Sequence, residues 1–371
     1  MKTNIKFPVW AEIDLKALEH NFNIVKKMVG KRKIIPIIKA NAYGHGIVQI
    51  AEFLTKKLNV NTFGVARVNE GILLRKNGII NSSIIILGGI LKSEVDDVIE
   101  YDLEPAVFFI SEIKYLGKKA REKNKTIGVH LKINTGMNRL GVKYPYHFYV
   151  LETIKEFEHL KLKSIYSHFA NADTENFVFT RGQYETLILI QKEYKKPFYH
   201  IANSAAIIKY PFTYLDAVRP GIMLYGSFMD KKLKNGIGLK PVMSLKCKVV
   251  NIIIVKKGET VSYGSKYRAR KTEKIAIINI GYGDGFRREL SNNWYVLIKG
   301  KKAKVIGTVC MDLTAIKVPA DLNIKIGDEV LVFGKDQYGE IEVEDMAKKL
   351  NTISYEIFTG ITERVPRIYK Y

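Results

Sequence analysis

Ile34-Ile35-Pro36-Ile37-Ile38-Lys39-Ala40-Asn41-Ala42-Tyr43-Gly44-His45-Gly46 runs from an apolar segment through a lysine into a glycine-containing loop. The Ile-rich run reads as a buried strand and the glycines as a turn. Ile47, Ile50, Ala51 and Leu54 then recur at helical spacing. This is a strand, a loop and a helix, and in such units the loops after the strand C-termini form the active face. A lysine at a strand end is by itself more often a solvated residue. Where apolar walls strip its proton affinity, it becomes a nucleophile able to form a Schiff base.

The alternation continues for about 200 residues. Further strands are expected at Ile34–Ile38, Thr62–Ala66, Ser83–Leu87, Pro105–Phe109, Ile127–Ile133, Ser164–Phe169, Phe198–Ala202 and Ala217–Leu224. Helical spacing lies between them, as at Val68–Lys76, Ser93–Tyr101, Ser111–Lys123 and Gln183–Tyr194. Eight strands alternating with helices predict an α/β chain with an N-terminal (β/α)8 TIM barrel, residues 1–238. Its first extended segment, around Val9 to Ile13, pairs with the second domain instead. Lys231–Gly238 reads as a polar linker. Residues 239–371 read as a β-rich C-terminal domain with one helix near Val343–Leu350.

The chain of 371 residues is 47% hydrophobic and 26% charged, ordinary for a folded globular protein. Met1–Asn21 has charges spread through it, which argues against a signal peptide, and no apolar run reaches the length of a membrane span. Cys247 and Cys310 have neither metal spacing nor a disulfide framework, so a cytoplasmic protein without a metal is expected. The net charge of +23 comes from scattered pairs such as Lys26-Lys27 and Lys118-Lys119 without aromatic interleaving. That pattern fits a solvated surface, with no nucleic-acid groove and at most a pull on anionic metabolites.

The predicted strand ends carry Lys39, Lys132 to Arg139, His168, Asn203-Ser204 and Arg219-Pro220-Gly221. His168 alone is more often a satisfied structural histidine, and Ser204 alone a helix cap. Together, an N-cap serine and glycine amides after the seventh and eighth strands suit a phosphate, because unpaired N–H groups and a helix dipole favour an anion. A Schiff-base lysine opposite a phosphate site suggests pyridoxal 5'-phosphate.

At this point the chain resembles the alanine racemases. The likeness rests on Ile38–Gly46, His130–Gly141, Ser167-His168-Phe169, Ala202–Ala206, Val218–Ile222, Val261–Gly264, Gly281–Gly285 and Val309–Asp312, eight matches in order. The resemblance implies racemisation of alanine by a two-base mechanism on a pyridoxal-phosphate aldimine, supplying D-alanine for peptidoglycan, in a homodimer with shared active sites. It implies Lys39 as the cofactor lysine and the base serving D-alanine, with Tyr263 of the partner subunit as the base serving L-alanine. Arg219 would face the pyridine nitrogen, with His168 and Asn203 beside the cofactor. Arg139 would meet the phenolic oxygen and the substrate carboxylate, and Tyr43, Ser204, Gly221, Ile222 and Tyr355 the phosphate. Met311 and Asp312 would approach the substrate from the partner and Tyr282 line the entrance. Lys132 matches a lysine often carbamylated in this family. Gly283 stands where alanine is common, and Asn134 where aspartate is frequent.

Elementary chemistry agrees with these roles. Inverting a stereocentre needs proton removal on one face and donation on the other, so two bases on opposite faces suffice. Desolvation should lower Lys39, and His168 and Arg219 should favour the tyrosinate form of Tyr263. An arginine donates to the ring nitrogen without surrendering its proton, which keeps the ring a weaker electron sink. The rivals are a serine or broad-specificity racemase and a basic amino-acid decarboxylase of the same plan. Beyond enzymes they are a non-catalytic cofactor-binding barrel and, least favoured, a basic nucleic-acid-binding protein. Against the decarboxylase stands Tyr263, where it would have a cysteine.

Overall fold

The computed structural model describes residues 6–174, 176–228 and 231–371, without the side chains of Lys231 and Lys232. It divides into two compact units. Residues 21–224 form one, and the segments up to residue 20 and from residue 225 onward form the other. The chain opens with β1 (Val9–Asp14) and α1 (Leu15–Val29), within which the boundary falls.

The first unit alternates β2 (Lys33–Ile34), α2 (Ile47–Leu58), β3 (Thr62–Val65), α3 (Val68–Lys76), β4 (Ser83–Ile86), α4 (Val95–Glu100), β5 (Glu104–Val107) and α5 (Ile110–Glu122). It continues with β6 (Ile127–Lys132), α6 (His147–Lys155), β7 (Leu160–Tyr166), α7 (Phe177–Glu193), β8 (Phe198–His200), α8 (Ser204–Lys209) and β9 (Ala217–Val218). The eight strands β2 to β9 form one parallel sheet in the order β2-β9-β8-β7-β6-β5-β4-β3. A parallel bridge between Ile37 and Gly64 joins its ends, so the sheet closes into the expected barrel. A Cβ on Gly64 would lie 2.5 Å from Ile37 Cδ1, so the glycine lets the Ile37 side chain pack against the closing strand.

Two strands are shorter than the apolar runs suggested, and proline is the reason. Pro36 and Pro220 have no N–H to give a ladder. Their neighbours still bond across, with Ile35 N–H to Val218 O and Ile37 N–H to Pro220 O, both at 2.9 Å. Helix α2 buries Ile47, Ile50, Ala51 and Leu54, the stripe its spacing predicted. Each such fully buried Ile or Leu contributes about 1.5–3 kcal/mol.

The second unit continues with α9 (Lys231–Ile237), β10 (Met243–Val255), β11 (Thr260–Val261), β12 (Tyr267–Arg268), β13 (Glu273–Ile278), β14 (Tyr295–Ile298), β15 (Lys301–Ile306), β16 (Thr314–Lys317), β17 (Glu329–Lys335) and β18 (Glu340–Ile341). It ends with α10 (Val343–Lys349), α11 (Ser354–Thr359) and β19 (Arg367–Lys370). Nine strands form a mostly antiparallel sheet, and a β17–β10 pairing curls it back on itself. β1 pairs antiparallel with β10 and parallel with β19.

The expected linker at Lys231–Gly238 is instead largely helix α9. Lys234 is buried on it and pairs with Glu344 at 3.0 Å, while Glu344 also accepts from Ser227 Oγ at 2.6 Å. A polar stretch reads as linker when its partners lie a hundred residues away, as these do. Among the described residues, no helix is long and apolar enough to cross a membrane.

Candidate active site

Lys39 follows the Ile37 bridge beyond the first barrel strand, and the next four residues do something unusual. Ala40, Asn41, Ala42 and Tyr43 all adopt left-handed helical geometry, with φ between 51° and 55°. At about 1–2 kcal/mol each, such a run is costly for non-glycine residues. It persists because its surroundings over-determine it. Ala42 N–H donates to Ile38 O at 2.8 Å and Gly46 N–H to Asn41 O at 2.9 Å. Asn41 Oδ1 accepts from Ile47 N–H at 2.8 Å, and Glu70 Oε1 accepts from Ala40 N–H at 2.5 Å. The reversed turn tucks Tyr43 into the barrel unit and leaves Lys39 half-buried at the strand end. Burial first, then the Arg139 charge, lowers the Lys39 ammonium, while Glu70 opposes them.

Tyr43 leads to an anion cradle. A Cβ on Gly221 would sit 2.6 Å from the Tyr43 hydroxyl oxygen, so the missing side chain makes room for that hydroxyl. Ser204 Oγ accepts from Gly221 N–H at 2.9 Å and Met223 N–H at 3.4 Å. With both acceptor positions used, the serine O–H is left to donate.

Two expectations change here. The helix cap is Asn203, whose Oδ1 accepts from Ala206 N–H at 3.0 Å, and Ser204 is the first helical residue. The Gly221 amide is engaged by Ser204, so the backbone donor left in this loop is Ile222, whose N–H has no internal acceptor among the described residues. Tyr43 and Ser204 hydroxyls converging on a glycine gap, after the strand next to the one that leads to a lysine of lowered proton affinity, fit a phosphate-bearing aldehyde cofactor.

Arg219 is 3% exposed and held from several sides. It donates to His200 Nδ1, to Ser167 O at 2.6 Å and to Ile201 O at 3.2 Å, and lies 3.3 Å from His168 Nδ1. Its guanidinium stands 5.1 Å from the Tyr166 ring centroid, and the Lys132 ammonium 5.4 Å from the same ring. Burial lowers Arg219 to about 10, so it stays charged at neutral pH. Burial, then the Arg219 and Lys132 charges, push His168 well below the ordinary imidazole value. His168 is therefore neutral, and of the pair expected to favour a tyrosinate only Arg219 brings charge. Lys132, 6% exposed, is lowered to about 7 by burial and then by Arg219, Arg139 and Lys39.

Lys132, Arg139 and His168 line one concave pocket together with Asn134 and Met137. The Arg139 loop is shaped by Asn134, whose Oδ1 accepts from Gly136 N–H at 3.1 Å and Asn138 N–H at 3.0 Å. The acceptor role open to an aspartate is thus filled by the amide oxygen, without its charge.

In the second unit, Tyr263, Tyr282, Met311 and Asp312 occupy turns that bond to one another. Thr308 Oγ1 donates to Tyr263 O at 2.8 Å, Tyr282 N–H to Cys310 O at 3.0 Å and Gly283 N–H to Met311 O at 2.9 Å. Tyr263 is 74% exposed, and Met311 and Tyr282 are exposed too. Asp312 is gripped by Arg364 Nη2 at 2.6 Å, and Arg364 Nε lies 3.3 Å from Asp284. A Cβ on Gly283 would lie 2.5 Å from an Arg364 terminal nitrogen, so the glycine accommodates this pair. Tyr355 is half-buried on α11. Arg364, Glu70, Tyr166 and His200 went unnoticed in the sequence, because each acts on a residue far along the chain and none sits in a glycine-flanked motif.

A barrel with a lysine of lowered proton affinity, a hydroxyl-lined anion cradle and a buried arginine, joined to a β domain with an exposed tyrosine turn, defines a lysine-based barrel enzyme. The family models for the alanine racemase N-terminal and C-terminal domains match residues 13–228 and 242–369. A relative named alanine racemase 2, from Caldanaerobacter subterraneus subsp. tengcongensis, is 39% identical over 98% of this chain and 95% of its own. The solved alanine racemase of Clostridium difficile 630 superposes with a TM-score of 0.93 at 37% identity, covering 99% of this chain and 97% of its own. That of Bartonella henselae, solved with covalently bound pyridoxal phosphate, does so with a TM-score of 0.89 at 29% identity over 98% and 100%. The chain belongs to the alanine racemase family.

Proposed function

We propose that this protein interconverts L-alanine and D-alanine with pyridoxal 5'-phosphate, as a cytoplasmic homodimer whose D-alanine feeds peptidoglycan. The observation that carries the reading is Lys39, of lowered proton affinity, on a strained turn that also delivers Tyr43 to the Ser204–Gly221 cradle. When bound, the cofactor withdraws electrons from the substrate's α-carbon and so makes its proton removable. Lys39 Nζ anchors the cofactor and moves the α-proton on one face. The Tyr263 hydroxyl of a second copy does so on the other, and its exposed turn is available to be covered. Tyr43, Ser204 and the Ile222 N–H hold the phosphate, with Gly221 beside it, and His168 and Asn203 frame the ring; Tyr355 is assigned to the phosphate by the family resemblance alone. Arg219 donates to the ring nitrogen while keeping its proton. Arg139 binds the substrate carboxylate, with Lys132 next to it in the pocket. Met311 and Asp312 of the second copy limit side-chain size, and Tyr282 lines the way in.

The test is to incubate the cofactor-loaded protein separately with L-alanine, L-serine, L-lysine and L-arginine, following optical rotation and carbon dioxide release. Loss of rotation with alanine alone supports the reading. Loss with serine as well makes it a broader racemase. Carbon dioxide from a basic amino acid, or no reaction at all, refutes it.

A further inference from the structure

A continuous line of buried polar side chains crosses the barrel wall from its lower rim to Arg219. Glu104 opens β5, His130 lies in β6, Ser164 in β7 and His200 ends β8, so consecutive strands each contribute one member. His130 Nε2 is 2.9 Å from Glu104 Oε2, and His130 Nδ1 is 2.6 Å from Ser164 Oγ. Ser164 Oγ is in turn 2.9 Å from His200 Nε2, while His200 Nδ1 meets Arg219 Nη1. His130, Ser164 and His200 are at most 1% exposed.

The chemistry of the two ends sets the direction of every bond between them. Arginine can only donate, so His200 Nδ1 accepts and its ring proton sits on Nε2. Nε2–H then donates to Ser164 Oγ, the serine O–H donates to His130 Nδ1, and His130 Nε2–H donates to the carboxylate. Every hydrogen bond points from cation to anion, and such chains strengthen their members mutually. The arrangement matters because, among the described residues, no carboxylate pairs with the buried Arg219 guanidinium. Burial, then the Arg219 charge, keeps His200 neutral, as an acceptor there must be. Burial works against the Glu104 carboxyl, but the His130 bond and its neighbours outweigh it and hold the group below its usual range.

We propose that Glu104 is a positioning residue for the racemisation, acting through His130, Ser164 and His200 to hold Arg219 in one orientation. Its effect on turnover rests on the reading of Arg219 given above; the coupling of Glu104 to His200 does not.

The experiment uses holoenzyme labelled with [15N]histidine, whose seven histidines are few enough to assign by substitution. Ring 15N–1H correlations report which nitrogen of each carries the proton. In Glu104→Ala the His130 proton is expected to leave Nε2 and the His200 ring signals to shift, three links from the change. Turnover should fall roughly 10–100-fold with KM little changed, as when a buried partner orienting a functional histidine is lost. Glu104→Gln, which retains an acceptor oxygen, should restore both. Ser164→Ala should cut the line, so that adding Glu104→Ala to it moves the His200 signals no further. Unmoved His200 signals in Glu104→Ala, or an equal shift with and without Ser164, would overturn the proposal. If the wild-type protein fails to racemise alanine, the functional reading falls while the His200 signals still decide the coupling.

Discussion

Lys132 offers a quantitative test of how the barrel interior alters chemistry. Its ammonium is lowered from 10.5 to about 7 by burial, then by Arg219, Arg139 and Lys39. At pH 8 about nine in ten copies are then neutral, against roughly 0.3% for an ordinary lysine, a gain of about 300-fold in free amine. A free amine attacks carbon dioxide. The nitrogen lone pair forms the new N–C bond, one C=O pair moves to oxygen, and the nitrogen's proton leaves to solvent. The resulting carbamate replaces a repelled cation with an anion beside Arg139 and Arg219. In 13C-bicarbonate at pH 8 the protein should show a carbamate carbonyl resonance that is absent from Lys132→Met. In carbon-dioxide-free buffer the same group sets a stability slope. Between about 7 and 10.5 the unfolded chain binds a proton at this site that the folded chain does not. Stability should therefore rise with pH across that window, by about 1.4 kcal/mol per pH unit from this group, and Lys132→Met should lose that component. An identical carbonyl spectrum in both proteins, together with an unchanged slope in urea unfolding, would refute the reasoning.

Tyr263→Phe should abolish nearly all racemisation while the absorption of the lysine-bound cofactor stays intact; substantial residual turnover would move the second base elsewhere. On the proposal that this tyrosine comes from a second copy, specific activity should also fall on dilution below the dimer dissociation constant, measured by enzyme assay beside light scattering. Gly221→Ala places a Cβ 2.6 Å from the Tyr43 hydroxyl, so cofactor affinity, read by equilibrium dialysis, should drop roughly 10-fold or more. His168 and His200 are both held well below 6.5, so the folded protein resists protonation that the unfolded chain accepts. Stability is then fully present above about pH 6.5 and falls as pH drops below it, by as much as about 2.7 kcal/mol per unit for the two groups; a flat acid limb between pH 6.5 and 5 would contradict it.

The barrel was legible because its signals are local. The alternation of short apolar runs with helical stripes survives even where Pro36 and Pro220 interrupt the ladder, since burial depends on side chains and proline removes only an N–H. Helix α9 was misread for the opposite reason. Its local composition is polar, and what stabilises it is the distant Glu344. The motifs around Lys39, Arg139, Ser204 and Arg219 stood out as glycine-punctuated strand ends, whereas the left-handed turn at Ala40–Tyr43 had no local mark. Alanine is a poor choice for positive φ, and only the bonds to Ile38, Ile47 and Glu70 make it affordable.

From the sequence alone came the barrel, the β domain and the residue types at the strand ends, because hydrophobic periodicity and turn chemistry act over a few residues. The protonation states of Lys132 and His168, the division of cap and hydroxyl between Asn203 and Ser204, and the line from Glu104 to Arg219 were decided by tertiary structure. Each depends on which groups share a dry volume after the strands have come together, and Coulomb and desolvation energies follow that distance, not separation along the chain.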